Sequence, residues 1–150
     1  MIDKDKTIEV LNSLITINND RIEGYETALN ETNDKELKIL FAKYVSSSQL
    51  AKQNLIQEVQ FLGGQEAEGT KISGKFFRAW MDVKAALTNN DRVAILDSCA
   101  FGENKALDTY DDIFENDVHH LNEEQLIMIL SQKQSLTSDR DHVIALKTAM

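Results

Sequence analysis

The chain has no proline in its 150 residues and only six glycines, two of them adjacent at Gly63 and Gly64. With so few breakers, nothing interrupts a long helix over most of its length. A single cysteine, Cys99, excludes an internal disulfide. No histidine or basic residue stands beside it in sequence to lower its pKa, so a small packed thiol near Leu96 and Ala100 is expected there rather than a redox centre. No apolar run approaches the ~20 residues needed to cross a bilayer, and the opening Met-Ile-Asp-Lys-Asp-Lys lacks the apolar core of a secretory signal. The expectation is a soluble, cytoplasmic protein with no membrane partner. Positive charge is also short: 16 Lys and Arg stand against 25 Asp and Glu, a net charge of −9, and the lysines are scattered among acids. A surface able to neutralise a phosphate backbone is therefore not expected, and nucleic acid is excluded as a partner class. Ser-His-Asp and Cys-His arrangements have no local support, and Gly63-Gly64 is not followed by the helix start of a phosphate loop. No catalytic residue is assigned, and a non-enzymatic protein is the expectation.

What remains is helix. With 42% hydrophobic residues, the chain is the size of one domain over 1–150 and can bury a single core. A first helix is predicted from about Lys4 to Asn30, with Ile8, Leu11, Ile15, Ile22, Tyr25 and Leu29 facing inward and Asn18 interrupting the stripe. A polar turn, Asn30-Glu31-Thr32-Asn33, leads to a second helix that carries Leu37, Leu40, Phe41, Tyr44, Ser48, Ala51, Leu55, Val59 and Leu62 inward and stops at Gly63-Gly64. After a Gly-, Glu-, Thr- and Ser-rich stretch, a short helix places Phe76, Trp80, Val83 and Leu87 on one face. That face is a candidate docking surface for a second copy, weighed against packing on its own bundle. A third helix, capped by Asn89, Asn90 or Asp91, continues to about Asn116, and a fourth begins near Asn122 with Glu123 and Glu124 in its first turn. At the end of the third helix, His119 and His120 are placed to cap its carbonyls. The acidic runs Glu31 to Glu36 and Asp108 to Asp117 read as solvated faces.

The first and last pairs of helices have short turns and must be antiparallel, whereas the roughly 25-residue middle connection can run from one end of a bundle to the other. The expected fold is all-α: a ferritin-like four-helix bundle with a short extra helix in the crossover.

One residue breaks the pattern. The third helix carries Val93, Leu96, Ala100, Leu107, Tyr110 and Phe114 at helical spacing, and Glu103 falls on the same stripe. A desolvated carboxylate needs an ion, a hydrogen-bond set or a metal. The middles of the neighbouring helices offer Asn18, Asn19, Asp20 and Glu23 on the first, Ser48 and Gln49 on the second and Gln132 on the fourth. A structural layer of Asn18, Ser48, Glu103 and Gln132 would satisfy it by hydrogen bonds and fix the register. If Asp20 or Glu23 also turned inward, two carboxylates would share a proton or a cation.

The chain resembles the uncharacterised bacterial four-helix-bundle proteins of the ferritin-like superfamily known as domain of unknown function 2383. The resemblance rests on Leu11-Asn12-Ser13-Leu14-Ile15 with Asp20 and Gly24-Tyr25, then Leu62-Gly63-Gly64, Trp80, Gly102-Glu103 with Tyr110, and Gln132 and Arg140-Asp141. It implies the ferritin-like fold and, through distant kinship, a metal or oxidative-stress role. This chain has Asn54-Leu55 where relatives read Glu-Leu and Arg140-Asp141 where they read His-Asp, so two metal ligands are missing.

A full di-iron set takes a Glu from each of two helices and Glu-x-x-His from each of the others. With histidines only at positions 119, 120 and 142, that set cannot be assembled. The fourth helix retains Asp139-x-x-His142, half a motif. Glu103, Asp20, Glu23, Asp139 and His142 are therefore the candidate metal ligands, for iron or manganese, in the alternative to a structural polar layer. No cofactor is assigned.

Overall fold

The structure, a computed structural model, describes residues 2–69, 82, 84–89 and 91–149. Four long helices carry the described chain: α1 (Lys4–Glu31), α2 (Lys35–Phe61), α3 (Arg92–Asn116) and α4 (Glu123–Thr148), with a 3₁₀ turn at Val118–His120 between the last two. Residues 84–88 are also helical, where the short crossover helix is expected, and no strand occurs among the described residues. Phe76, Trp80 and Val83 lie outside the described residues; Leu87, the remaining residue of the expected docking face, is described and is buried in the core.

Each long helix starts on a side chain that accepts from an otherwise orphaned first-turn N–H. Asp3 accepts from Asp5 and Lys6, Asp34 from Leu37, Asp91 from Ala94 and Asn122 from Gln125. The last is reciprocal, since the Gln125 side chain accepts from the Asn122 backbone and completes a capping box. At the other end of α2, Gly63 takes φ +79°, its N–H donates to Gln60 O, and the Gly64 N–H donates to Val59 O. This is a Schellman closure, and a positive φ at its centre is the reason a glycine stands there.

Contacts between the hairpins give the helix directions. Near the start of α1, the Thr7 hydroxyl donates to His120 O, just past α3, while further along α1 Arg21 reaches back to Glu103 within α3. The two helices are thus antiparallel. On the other side Glu58 accepts from Gln125 and the Tyr44 hydroxyl donates to Asp139 O, so α2 and α4 are antiparallel too. It follows that α2 and α3 point the same way, and the chain between them must travel the length of the bundle.

The first part of that journey is latched to α1. Gly64 backs onto Ile8 so closely that a Cβ there would stand 2.8 Å from Ile8 Cδ1. The Asn12 side chain donates to Gln65 O and accepts from the Ala67 N–H, and Asn19 donates to Gly69 O. Asn12 and Asn19 are two turns apart on α1, which aims both amides at the same passing strand of chain. Lys84 then pairs with Glu31 at the far end of α1.

The apolar core falls into two clusters. One holds Leu11, Leu14, Leu55, Leu107, Ile129 and neighbours; the other holds Tyr25, Phe41, Tyr44, Leu96, Cys99 and Val143 with theirs. Buried Asn18, Arg21, Ser48, Glu103 and Asp139 lie between them in sequence register on all four helices. The expected inward stripe on α3 is rotated slightly: Val93 is 41% exposed, while Ile95, Cys99, Ala106 and Ile113 join Leu96, Glu103 and Tyr110 inside. The rotation follows from α3 packing against both α1 and α4, which widens its buried face beyond a single seam. No described helix is long and apolar enough to cross a membrane.

Candidate functional site

The polar band is organised by Arg21, a residue that composition alone would put on the surface. Its neighbours on α1 run Leu14, Asn18, Arg21, Tyr25 and Ala28, all buried at spacings of four and three, so the seam of the helix passes directly through it. The guanidinium meets Glu103 in a two-point fork, Nε to Oε1 at 2.8 Å and Nη2 to Oε2 at 2.7 Å. Nη2 also donates to Asp139 Oδ2 at 3.0 Å, and Nη1 to Ser48 Oγ at 2.9 Å and Tyr44 O at 3.5 Å. One side chain on α1 thereby binds α2, α3 and α4. The rings of Tyr25 and Tyr44 flank the guanidinium, their centroids 5.4 and 5.3 Å from Cζ, which adds cation–π attraction on the remaining sides.

Burial is nearly complete: Arg21 is 3% exposed and Glu103 not at all. Desolvation of each ion costs several kcal/mol, and only a fully hydrogen-bonded partner offsets it. Burial alone would lower the pKa of Arg21, but the charge and hydrogen bonds of Glu103, followed by the smaller contributions of Tyr25 and Asp139, raise it above the ordinary arginine value. The same surroundings hold their neighbours protonated. Burial, then the charges of Glu103 and Cys99, push Tyr25 well up against the opposing pull of Arg21. Tyr44 is raised by burial and then by Asp139 and Glu103. The Cys99 thiol is likewise raised by burial and Glu103.

Beside this ion centre runs a second, uncharged relay. Asn18 Nδ2 donates to Leu14 O at 2.9 Å and to the Tyr110 hydroxyl at 3.0 Å. That hydroxyl donates to Gln132 Oε1 at 2.8 Å, and Gln132 Nε2 reaches Ala51 O at 3.3 Å. Burial pushes Tyr110 up to about 12, with the Asn18 hydrogen bond and the Arg21 charge opposing the rise.

The single layer expected of Asn18, Ser48, Glu103 and Gln132 is therefore two adjoining ones. Ser48 and Glu103 belong to the Arg21 centre, and Asn18 and Gln132 to the Tyr110 relay. Among the candidate ligands, Asp20 is buried whereas Glu23, three residues on, is exposed. On α4, Asp139 faces Arg21 but His142 is exposed, so the half motif does not converge on one point. Among the described residues, no group of three or more His, Cys, Asp or Glu side chains is arranged to hold a metal ion. Nor does the donor set at the centre suit one, because both oxygens of Glu103 and Oδ2 of Asp139 already accept from a fixed cation. The expected histidine cap also differs: α3 closes with the Asp117 N–H on Ile113 O, and the rings of His119 and His120 pack on each other at 3.9 Å. The backbone reaches those carbonyls first because the chain turns immediately into the 3₁₀ segment.

Fold and site together define an all-α helical bundle pinned at its middle by a buried arginine–carboxylate network. The family model described as Domain of unknown function (DUF2383) matches residues 6–116, from α1 to the last residue of α3, and the chain belongs to that family. Arg21, Ser48 and Glu103 lie inside the match, and Asp139 on α4 lies beyond it. No curated protein matches the chain.

Proposed function

We propose that this chain is a single-domain, ferritin-like bundle of the cytoplasm with a structural or interaction role, possessing neither a catalytic centre nor a resident metal. The observation that carries the reading is the Arg21 guanidinium, which occupies the meeting point of Glu103 and Asp139. A fixed side-chain cation there supplies the positive charge that a carboxylate-lined bundle centre otherwise takes from a metal ion. The helix directions support the ferritin-like topology, since α2 and α3 run parallel and require one long crossover. The closed hydrogen-bond set supports a register-fixing role: every Arg21 N–H points at an acceptor, and a one-turn slip of α1, α3 or α4 would strand a buried charge.

The test is metal content after anaerobic loading with Fe(II) or Mn(II) and desalting, on the wild type and on Glu103→Gln. The expected result is no stoichiometric metal in either. Stoichiometric metal in the wild type that disappears in Glu103→Gln would overturn this reading in favour of a carboxylate-bridged metalloprotein.

A further inference from the structure

The helix pair α2 and α4 encloses a cleft of about 200 Å³ that descends from the surface to the Tyr110 relay. Its rim is formed by exposed Asn54 of α2 and exposed Ser131 and Ser135 of α4. Its floor is formed by Asn18, Tyr110 and Gln132, of which Asn18 is 5% and Tyr110 1% exposed. A space of this size holds about six waters at roughly 30 Å³ each. Filling it with larger side chains at Ser131 and Ser135 would be the ordinary way to close an antiparallel helix pair. These serines keep it open.

The chemistry of the walls restricts what can enter. Among the described residues no carboxylate and no lysine lines the cleft. Its single charged group, Arg21, has its N–H groups directed at Glu103, Asp139, Ser48 and Tyr44 O, so it offers little to an anion. An apolar guest would strip water from hydroxyl and amide groups without replacing the hydrogen bonds. What the walls do present is neutral hydrogen-bonding groups: serine hydroxyls and the Asn54 amide, which both donate and accept, and, at the floor, the Asn18 carbonyl, which accepts while its amide protons are spent on Leu14 O and Tyr110. Leu50 and Leu136 supply apolar patches beside them. Alternating hydroxyls on a short carbon chain match that pattern, each giving and taking one bond, with C–H edges left for the leucines.

We propose that the cleft between α2 and α4 is a binding site for a small uncharged polyol. Its recognition is by Asn18, Asn54, Ser131 and Ser135, independent of the ion centre beside it. The test is amide NMR of the full chain titrated with glycerol and with myo-inositol, with sulfate and tetramethylammonium as charged comparisons. Saturable shifts are expected at the Asn18 and Gln132 side-chain amides with the polyols and not with the ions. Ser135→Leu, which fills the cleft from α4, is expected to weaken the saturable response by at least about tenfold, as does losing a well-made hydrogen bond together with the space. Asn54→Leu does the same from the exposed edge of α2 and serves if Ser135→Leu does not fold. Polyols also act on all proteins by exclusion from the surface, an effect that grows without saturation. Shifts that stay linear with concentration, or that are unchanged in a folded filled variant, overturn the proposal; so does saturable binding of sulfate or tetramethylammonium at the same amides.

Discussion

Arg21 and Glu103 face each other across the α1–α3 interface in a fork of two hydrogen bonds, 2.8 and 2.7 Å long, with the carboxylate wholly out of reach of solvent. The pair is not symmetric in its dependence. Arg21 has a second carboxylate in Asp139, whereas its removal deprives both acids of their cation. Arg21→Met is therefore expected to cost about 3–5 kcal/mol, the range for breaking a buried pair, and Glu103→Gln clearly less. Urea unfolding followed by circular dichroism decides it. Equal losses would show that Asp139 does not share the charge.

Adding Glu103→Leu to Arg21→Met is expected to restore stability relative to Arg21→Met alone, because a buried unpaired charge is worse than an apolar side chain of similar volume. The coupling is read from a double-mutant cycle. Strict additivity would mean the two groups do not interact energetically, whatever their distance.

Arg21→Lys preserves charge but not shape. An ammonium cannot reproduce the planar fork to both Glu103 oxygens while also reaching Ser48. A loss of about 1–3 kcal/mol is expected from the unsatisfied acceptors. Stability within error of the wild type would reduce the site to a simple point charge.

Alkaline pH should unfold the protein. Tyr25, Tyr44 and Tyr110 have folded pKa values above the ordinary tyrosine value, Tyr110 at about 12. Above about pH 10 an unfolded tyrosine loses its proton while these keep theirs, so the unfolded state binds fewer protons and stability falls as pH rises. Below that point the contribution is fully present. Denaturant midpoints across this range, with Tyr110→Phe as the comparison, measure the slope; a flat profile in the wild type contradicts the assignment.

Cys99 should be silent toward thiol reagents in the native state. It is fully buried, and burial followed by the Glu103 charge raises its pKa, so neither access nor thiolate is available. Labelling is expected to proceed only at the rate of unfolding and to accelerate with urea. Rapid labelling without denaturant would place the thiol outside the core.

Sequence reasoning reached the helices because their signals are local. Asp91 and Asn122 are short-range caps, Gly63 supplies a positive φ, and the helix boundaries fall within a residue or two of those read from them. It also reached Glu103, since a carboxylate among leucines is visible from spacing alone. Arg21 escaped because arginine is normally a solvent-facing residue, and because the stripe through Ile8, Ile15, Ile22 and Leu29 looks complete without it. Of those four only Ile15 is fully buried and the others flank the seam, which itself runs Leu14, Asn18, Arg21, Tyr25. The pairing of Arg21 with Asp139 spans 118 positions and depends on how two hairpins dock, which no local pattern encodes.

Because Arg21 takes partners from α2, α3 and α4 at once, its contacts are complete only when the last helix has docked. A half-assembled chain retains water around the guanidinium and gains little from any one partner. The network thus acts as a late lock on the folding reaction: its loss should hasten unfolding far more than it slows folding, so its contribution is to the lifetime of the assembled bundle.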